Sequence, residues 1–171
     1  MVDSLDGEAP TAVISGIHHF ELTTADADRA IAFYRELGLT PTVDRVTESG
    51  GFVERVTGIA GARVRIVHLR GHGVNLELLE YLEPRGLRPA RGLQDAGSAH
   101  LCFLTDDAAA TCSRLAERGV RVLSDGACPH EIEGGPNAGG WCVYLQDPDG
   151  NAVELWQLAP AASATELTVT A

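Results

Sequence analysis

The chain has 171 residues, of which 44% are hydrophobic and 22% charged, and this composition predicts a globular protein of one domain or two small half-domains. The net charge of −11 argues against a broad surface for nucleic acid or anionic membranes. All 13 basic residues are arginine, which excludes lysine Schiff-base chemistry and a P-loop lysine. Because no apolar stretch reaches the length of a membrane span and the acidic start does not resemble a signal peptide, we expect a cytoplasmic protein with no membrane or nucleic-acid partner.

The cysteines do not indicate a disulfide framework. They contain no CxxC pair and stand at Cys102, Cys112, Cys128 and Cys142. In a chain of this size without an export signal, we expect free thiols.

Two segments of the chain repeat each other. The first reads GIHHFELTTADADRAIAFYRELGL (residues 16–39), and the second reads SAHLCFLTDDAAATCSRLAERGV (residues 98–120). Aligning His19 with His100 also aligns an aspartate and a glycine further on. Each copy ends with a similar strand-like segment, VNLELLEYLEP at 74–84 in the first and NAVELWQLAP at 151–160 in the second. The chain therefore reads as a tandem duplication.

Each copy has the same predicted order of elements. It begins with a short alternating strand, Ile17–Thr23 or His100–Thr105. A helix follows, bounded by an aspartate N-cap and a left-handed glycine: Asp26 and Gly38, then Asp107 and Gly119. Three further strands complete each copy, at Gly51–Val56, Val64–Leu69 and Val74–Tyr81, and at Val120–Ser124, Trp141–Gln146 and Ala152–Gln157.

These elements predict an α+β fold built from tandem βαβββ modules. We expect the first module at residues 12–83 and the second at 97–159. A linker rich in Pro, Gly and Arg joins them at 84–96, and tails flank them at 1–11 and 160–171.

Strand alternation places two histidines and two glutamates on the faces opposite the helices. His19 and His100 occupy this face in the first strands, and Glu77 and Glu154 occupy it in the last strands. A carboxylate among aliphatic residues is costly unless it is paired, protonated or metal-bound. We expect the duplication to bring these four side chains together at the concave face of a curved sheet, as a site for one divalent metal ion.

Four segments of the chain resemble the vicinal oxygen chelate superfamily, namely HHFELTTADADRAIAFYRELGL, AHLCFLTDD, VNLELLEYLEP and VYLQDPDGNAVELWQ. This group includes glyoxalase I, methylmalonyl-CoA epimerase, extradiol dioxygenases and the fosfomycin- and bleomycin-resistance proteins. The resemblance implies paired βαβββ modules that form a cup around a divalent metal. Its ligand positions fall on His19, Glu77, His100 and Glu154.

The resemblance implies more than one reaction. Four protein ligands favour an isomerase, epimerase or lyase of the glyoxalase I or epimerase type, which abstracts a proton α to a carbonyl and forms a metal-stabilised enolate. The expected substrate is a small carbonyl compound or a thioester. One alternative is an Fe(II) extradiol ring-cleaving dioxygenase, whose open positions Glu77 would obstruct. Another is a non-catalytic drug-binding resistance protein, a kind that generally lacks the ligands. The metal stays open among Zn, Ni, Co, Mn and Fe.

Two carboxylates are candidates for the catalytic base. Glu54, in ESGGFVERVTG (residues 48–58), falls on a Gly-x-Val-Glu segment of the epimerase, where it would lie on the second strand. Burial in an apolar cup would raise its pKa toward a useful value. Glu154 is the other candidate, because glyoxalase-like mechanisms allow a ligand carboxylate to leave the metal and take the proton.

The remaining histidines are assigned more weakly. His130 lies in the glycine-rich loop CPHEIEGGPNAGG (residues 128–140), which we expect to form a lid, and it is a candidate substrate contact. His68 and His72 are expected at the surface. A homodimer is the expected assembly, and the resemblance allows a cup within one chain or between two chains by domain swapping.

Overall fold

The computed structural model describes residues 14–87 and 92–160. The predicted N-terminal tail, 1–11, lies outside the described residues, as do 88–91 of the predicted linker and 161–171 of the predicted C-terminal tail. The described chain forms two mixed sheets, each with a helix packed against it, which is the predicted α+β fold.

The first sheet has the strand order β1-β4-β3-β2. Its outer strand β1 pairs in parallel with β4, while β3 is antiparallel to both β4 and β2. The strands are Phe20–Thr23 (β1), Thr40–Val46 (β2), Arg63–Gly71 (β3) and Val74–Glu83 (β4). Helix α1 at Ala27–Glu36 connects β1 to β2, and a short helix α2 at Phe52–Thr57 precedes β3.

The predicted strand at Gly51–Val56 is wrong, since this segment contains helix α2. Gly51 is its N-cap, and Gly58 ends it in the left-handed conformation with φ of 72°. Six residues are too few for the apolar spacing to distinguish a strand from a helix, and the flanking glycines favour the helix. The second strand is β2 instead, a mostly exposed edge strand whose alternation is broken by a bulge after Pro41.

The second sheet repeats this architecture with the strand order β5-β9-β8-β6, and β7 pairs with β8. Its strands are His100–Leu104 (β5), Arg121–Val122 (β6), His130–Glu131 (β7), Trp141–Gln146 (β8) and Ala152–Gln157 (β9). Helix α3 covers Ala108–Glu117, and a 3-10 turn at Asp125–Ala127 lies between β6 and β7. The parallel pair β5–β9 corresponds to β1–β4.

The predicted helix caps are confirmed. Oδ1 of Asp26 accepts a hydrogen bond from the amide of Arg29 at 3.1 Å, and Oδ1 of Asp107 accepts from the amide of Ala110 at 2.8 Å. Both helices are followed by a glycine with positive φ, at Gly38 (84°) and Gly119 (83°). Local sequence therefore determines both ends of α1 and α3.

One apolar core joins the two modules. It contains helices α1 and α3 together with alternate residues of the central strands: Val67, Leu69, Leu76, Leu78, Val143, Leu145, Val153 and Leu155. The opposite faces of the sheets carry the polar residues described below. No helix in the two described stretches is long and apolar enough to cross a membrane.

Candidate functional site

His19 and Glu77 form the first of two histidine–glutamate pairs. His19 directly precedes β1, and the parallel pairing of Phe20 with Leu76 puts the side chains of His19 and Glu77 on the same face. Nε2 of His19 lies 3.3 Å from Oε2 of Glu77, and the two side chains are 35% and 15% exposed. The pair is therefore half-buried on the face of the sheet opposite α1.

His68 adds a third side chain to the first pair. The antiparallel pairing of β3 with β4 sets His68 directly opposite Glu77, with its Nε2 atom 3.1 Å from Oε1. The two oxygens of Glu77 thus face two different imidazoles. The prediction that His68 is a surface residue is wrong, because pairing between β3 and β4 leaves its side chain only 18% exposed. His72 is exposed, as expected.

His100 and Glu154 form the second pair. Nε2 of His100 lies 3.2 Å from Oε2 of Glu154, whose side chain is only 7% exposed. Glu154 is flanked by Cys102 on β5 and Tyr144 on β8, which are its direct partners in the sheet. The Tyr144 ring also packs edge-on against His100, with the ring centroids 5.3 Å apart.

The buried charge of Glu154 affects both of its neighbours in the sheet. Burial first, and then the charge of Glu154 and a hydrogen bond to it, raise the pKa of the Cys102 thiol to about 12. Burial followed by the charge of Glu154 also raises the pKa of the Tyr144 phenol. Both groups therefore keep their protons at neutral pH. All four cysteines of the chain are free thiols, as expected.

The register of the two sheets shows that the pairs are equivalent. Tyr144 stands opposite Glu154 on β8, just as His68 stands opposite Glu77 on β3. A local signal for this equivalence exists in the sequence, since the segments VHL (residues 67–69) and VYL (residues 143–145) have the same pattern. Sequence reasoning missed both residues because the signal acquires meaning only once the strands are paired.

The four predicted ligands have the chemistry to bind a divalent ion, and they lie as two separate His–Glu pairs. Imidazole nitrogen and carboxylate oxygen are ligands that Zn, Ni, Co, Mn and Fe accept. Across residues 14–87 and 92–160, however, no three or more His, Cys, Asp or Glu side chains are grouped to hold a metal ion. Among these residues the two pairs are therefore not grouped as one set of four ligands.

Glu54 lies on helix α2 rather than on the predicted strand. Its Oε2 atom accepts hydrogen bonds from the amides of Gly50 and Gly61, each at 3.0 Å. The carboxylate therefore closes the loops on both sides of α2. This bonding gives Glu54 a structural role whether or not it also acts as a base.

His130 lies on β7, directly opposite Cys142 of β8, which in turn pairs with Trp156 of β9. Residues directly opposite each other in a sheet share a face, and so do residues two positions apart on one strand. His130 is therefore on the same face as Trp156 and Glu154. Its Nε2 atom lies 2.8 Å from the carbonyl oxygen of Asp125. Substrate contact by His130 stays a prediction, and its position on this face is compatible with it.

The family model of the Glyoxalase/Bleomycin resistance protein/Dioxygenase superfamily matches residues 16–155. The chain belongs to this superfamily, which confirms the resemblance seen in its sequence motifs. It is 36% identical over 159 residues to a 2-epi-5-epi-valiolone epimerase from Actinomyces sp., covering 88% of this chain and 85% of the relative. It is also 29% identical over 153 residues to the virulence protein STM3117 of Salmonella typhimurium, covering 88% and 89%.

Solved structures confirm the fold. A glyoxalase family protein from Bacillus cereus superimposes with a TM-score of 0.76 at 20% identity, covering 89% of this chain and 99% of the other. A glyoxalase I mutant from Zea mays superimposes with a TM-score of 0.57 at 18% identity, covering 82% of this chain and 44% of the other. At these identities the likeness concerns architecture alone.

Proposed function

We propose that this protein is a divalent-metal-dependent epimerase that removes and returns a proton on the carbon next to a carbonyl group. The observation that carries this proposal is the equivalent placement of His19–Glu77 and His100–Glu154 in the two modules. The 36% identity to a 2-epi-5-epi-valiolone epimerase supports epimerisation over the other reactions of the superfamily. That name denotes a ketone, so we propose a small ketone, in preference to a thioester, as the substrate class.

We propose that His19, Glu77, His100 and Glu154 hold one ion between them. When bound, a divalent ion supplies Lewis acidity that lowers the energy of an enolate. The chain supplies the rest of the environment. The helix-side faces of both sheets are packed with aliphatic residues, so Glu77 on β4 and Glu154 on β9 are held on packed central strands.

Glu154 is the better supported of the two candidate bases. It is 5% exposed, and Cys102 and Tyr144 are its direct partners in the sheet. Epimerisation needs a group that takes a proton from the α carbon and a group that returns one to the opposite face. We propose Glu154 for the first step. Glu54 is the second candidate, although its Oε2 atom is already bonded to two backbone amides.

We propose a homodimer in which the His19–Glu77 pair of one copy meets the His100–Glu154 pair of the other. Strands β1 and β5 each lie at the end of a sheet, and neither pairs with the other within the chain. Exposed apolar side chains mark both edges, with Ile17 93%, Phe20 37% and Leu104 58% exposed. An unpaired edge strand presents backbone groups that can pair with a strand of another chain. Pairing β1 with β5 of a second copy would place the two half-sites on one continuous face.

Exchange of the α proton with solvent deuterium tests the proposed reaction. The metal-stripped protein, reloaded in turn with Zn, Ni, Co, Mn or Fe, is incubated with 2-epi-5-epi-valiolone in deuterium oxide and followed by proton NMR. We expect incorporation of deuterium that depends on the metal and is lost in Glu154→Gln. Absence of exchange with every metal, or oxygen uptake with catechols, would contradict the proposal.

A further inference from the structure

We propose that His68 is a positioning residue that holds Glu77 with one carboxylate oxygen directed toward His19 and the metal. This inference rests on the proposed function, because it concerns how Glu77 serves as a ligand. Nε2 of His68 lies 3.1 Å from Oε1, whereas Oε2 lies 3.3 Å from Nε2 of His19. Since the two imidazoles contact different oxygens, the carboxylate cannot rotate without losing one of these contacts.

Asn75 fixes the orientation of the His68 ring. Its Oδ1 atom lies 3.2 Å from Nδ1 of His68, and its Nδ2 atom donates to the backbone carbonyl of His18 at 3.1 Å. The bond to His18 determines which end of the amide faces His68, so both ring nitrogens of His68 face oxygen atoms. The contacts therefore form a continuous chain from the backbone before β1, through Asn75 and His68, to Glu77.

The second module lacks this chain of contacts. Tyr144 takes the position of His68, and Ala152 takes that of Asn75. The strand register shows the second equivalence, because His100 pairs with Ala152 and His19 aligns with Asn75. Glu154 therefore has a thiol and a phenol beside it in the sheet, in place of an anchored imidazole.

This difference between the modules gives Glu77 and Glu154 different proposed roles. Two imidazoles contact the two oxygens of Glu77, and one of these rings is itself anchored by Asn75, so the carboxylate of Glu77 is restrained from both sides. The structure thus assigns anchoring of the metal to Glu77. Glu154, which lacks this chain of contacts, is the glutamate proposed above as the base.

Cobalt binding to the full-length, metal-free protein tests this assignment. We expect His68→Leu to weaken cobalt affinity about 10- to 100-fold, measured by competition with a chromophoric chelator, and to alter the visible absorption of the bound ion. His68→Gln keeps an N–H donor and should recover most of the affinity. Tyr144→Phe, the matched change in the second module, should affect affinity much less.

A second readout needs no metal. In the long-range proton–nitrogen spectrum of the metal-free protein, we expect Asn75→Ala to shift both ring nitrogens of His68, and Tyr144→Phe to leave them in place. Unchanged cobalt affinity and spectrum in His68→Leu, or unchanged His68 nitrogens in Asn75→Ala, would overturn the positioning role. If the wild-type protein binds no divalent ion, the proposed function fails instead, and the metal-free spectrum still decides whether the contacts to His68 exist.

Discussion

The phenol of Tyr34 donates a hydrogen bond of 3.0 Å to Oδ2 of Asp147, linking helix α1 of the first module to the β8–β9 turn of the second. Tyr34 is fully buried and Asp147 is 6% exposed. The same carboxylate also accepts hydrogen bonds from the amides of Asp149 (2.9 Å) and Asn151 (2.8 Å). Asp147 therefore organises its own turn and, through Tyr34, the contact between the modules.

Removing the phenol should destabilise the whole chain. Tyr34→Phe leaves a buried carboxylate without one of its donors, so we expect the free energy of unfolding to fall by about 1–3 kcal/mol. Urea unfolding followed by circular dichroism measures this change. The matched control, Tyr81→Phe on β4, should change stability by less than about 0.5 kcal/mol. Equal stability of Tyr34→Phe and wild type would show that this bond does not contribute.

The same contact predicts a loss of stability in alkaline solution. Burial first, and then the charge of Asp147, raise the pKa of the Tyr34 phenol well above its ordinary value. Above about pH 10 the unfolded chain releases the phenolic proton while the folded chain retains it, so stability falls by up to about 1.4 kcal/mol per pH unit from this group. Below that pH the group has no effect on the pH dependence.

Unfolding curves recorded between pH 9 and 11 check this prediction. Tyr34→Phe should show a shallower loss of stability above pH 10 than the wild type. Cys102, whose pKa is raised to about 12, contributes in both proteins and therefore cancels in the comparison. Parallel pH profiles for the two proteins would rule out the predicted protonation of Tyr34.

The two helix caps offer a matched pair of substitutions. Asp26→Ala and Asp107→Ala each remove the side-chain acceptor for a first-turn amide. We expect each to lower stability by about 1 kcal/mol, measured by thermal or urea unfolding. Asp106→Ala, at the exposed position before the second cap, serves as the control and should have little effect. Caps that cost no more than this control would mean that tertiary packing alone determines where the helices begin.

Substitutions of Glu54 distinguish a structural role of this residue from a catalytic one. Glu54→Ala removes the acceptor for the amides of Gly50 and Gly61, and we expect it to lower stability by about 1–2 kcal/mol. Glu54→Gln keeps an oxygen acceptor and should retain most of the deuterium-exchange activity if Glu154 is the base. A loss of about 100-fold or more in Glu54→Gln, with its fold intact, would instead assign the base to Glu54.

The parts of the fold that local sequence determines were predicted correctly. Asp26 and Asp107 cap their helices, and Gly38 and Gly119 end them, because these interactions involve residues only a few positions apart. Because the two modules repeat each other, the same cap and glycine positions predicted the helix in both of them. Local reasoning failed at α2, where a six-residue apolar segment fits both a helix and a strand, and at β2, whose exposed edge position hides its alternation.

The candidate site was predictable only in part. Alternation placed His19 and Glu77 on the face opposite the helix, and the structure shows them 3.3 Å apart. The contribution of His68 was missed because the matching VHL and VYL segments become informative only once β3 is paired with β4. For the same reason the sequence left open whether the two pairs meet within one chain or between two.

Metal binding by mixed variants tests the shared site most directly. His19→Ala damages the first half-site and His100→Ala the second, so neither protein alone should retain a complete set of ligands. If the pairs meet across a homodimer, unfolding and refolding the two variants together produces heterodimers with one intact site each. About a quarter of the wild-type metal content should then return, as measured by elemental analysis after removal of free ion. A mixture that holds no more metal than the separate variants would contradict a site shared between two copies.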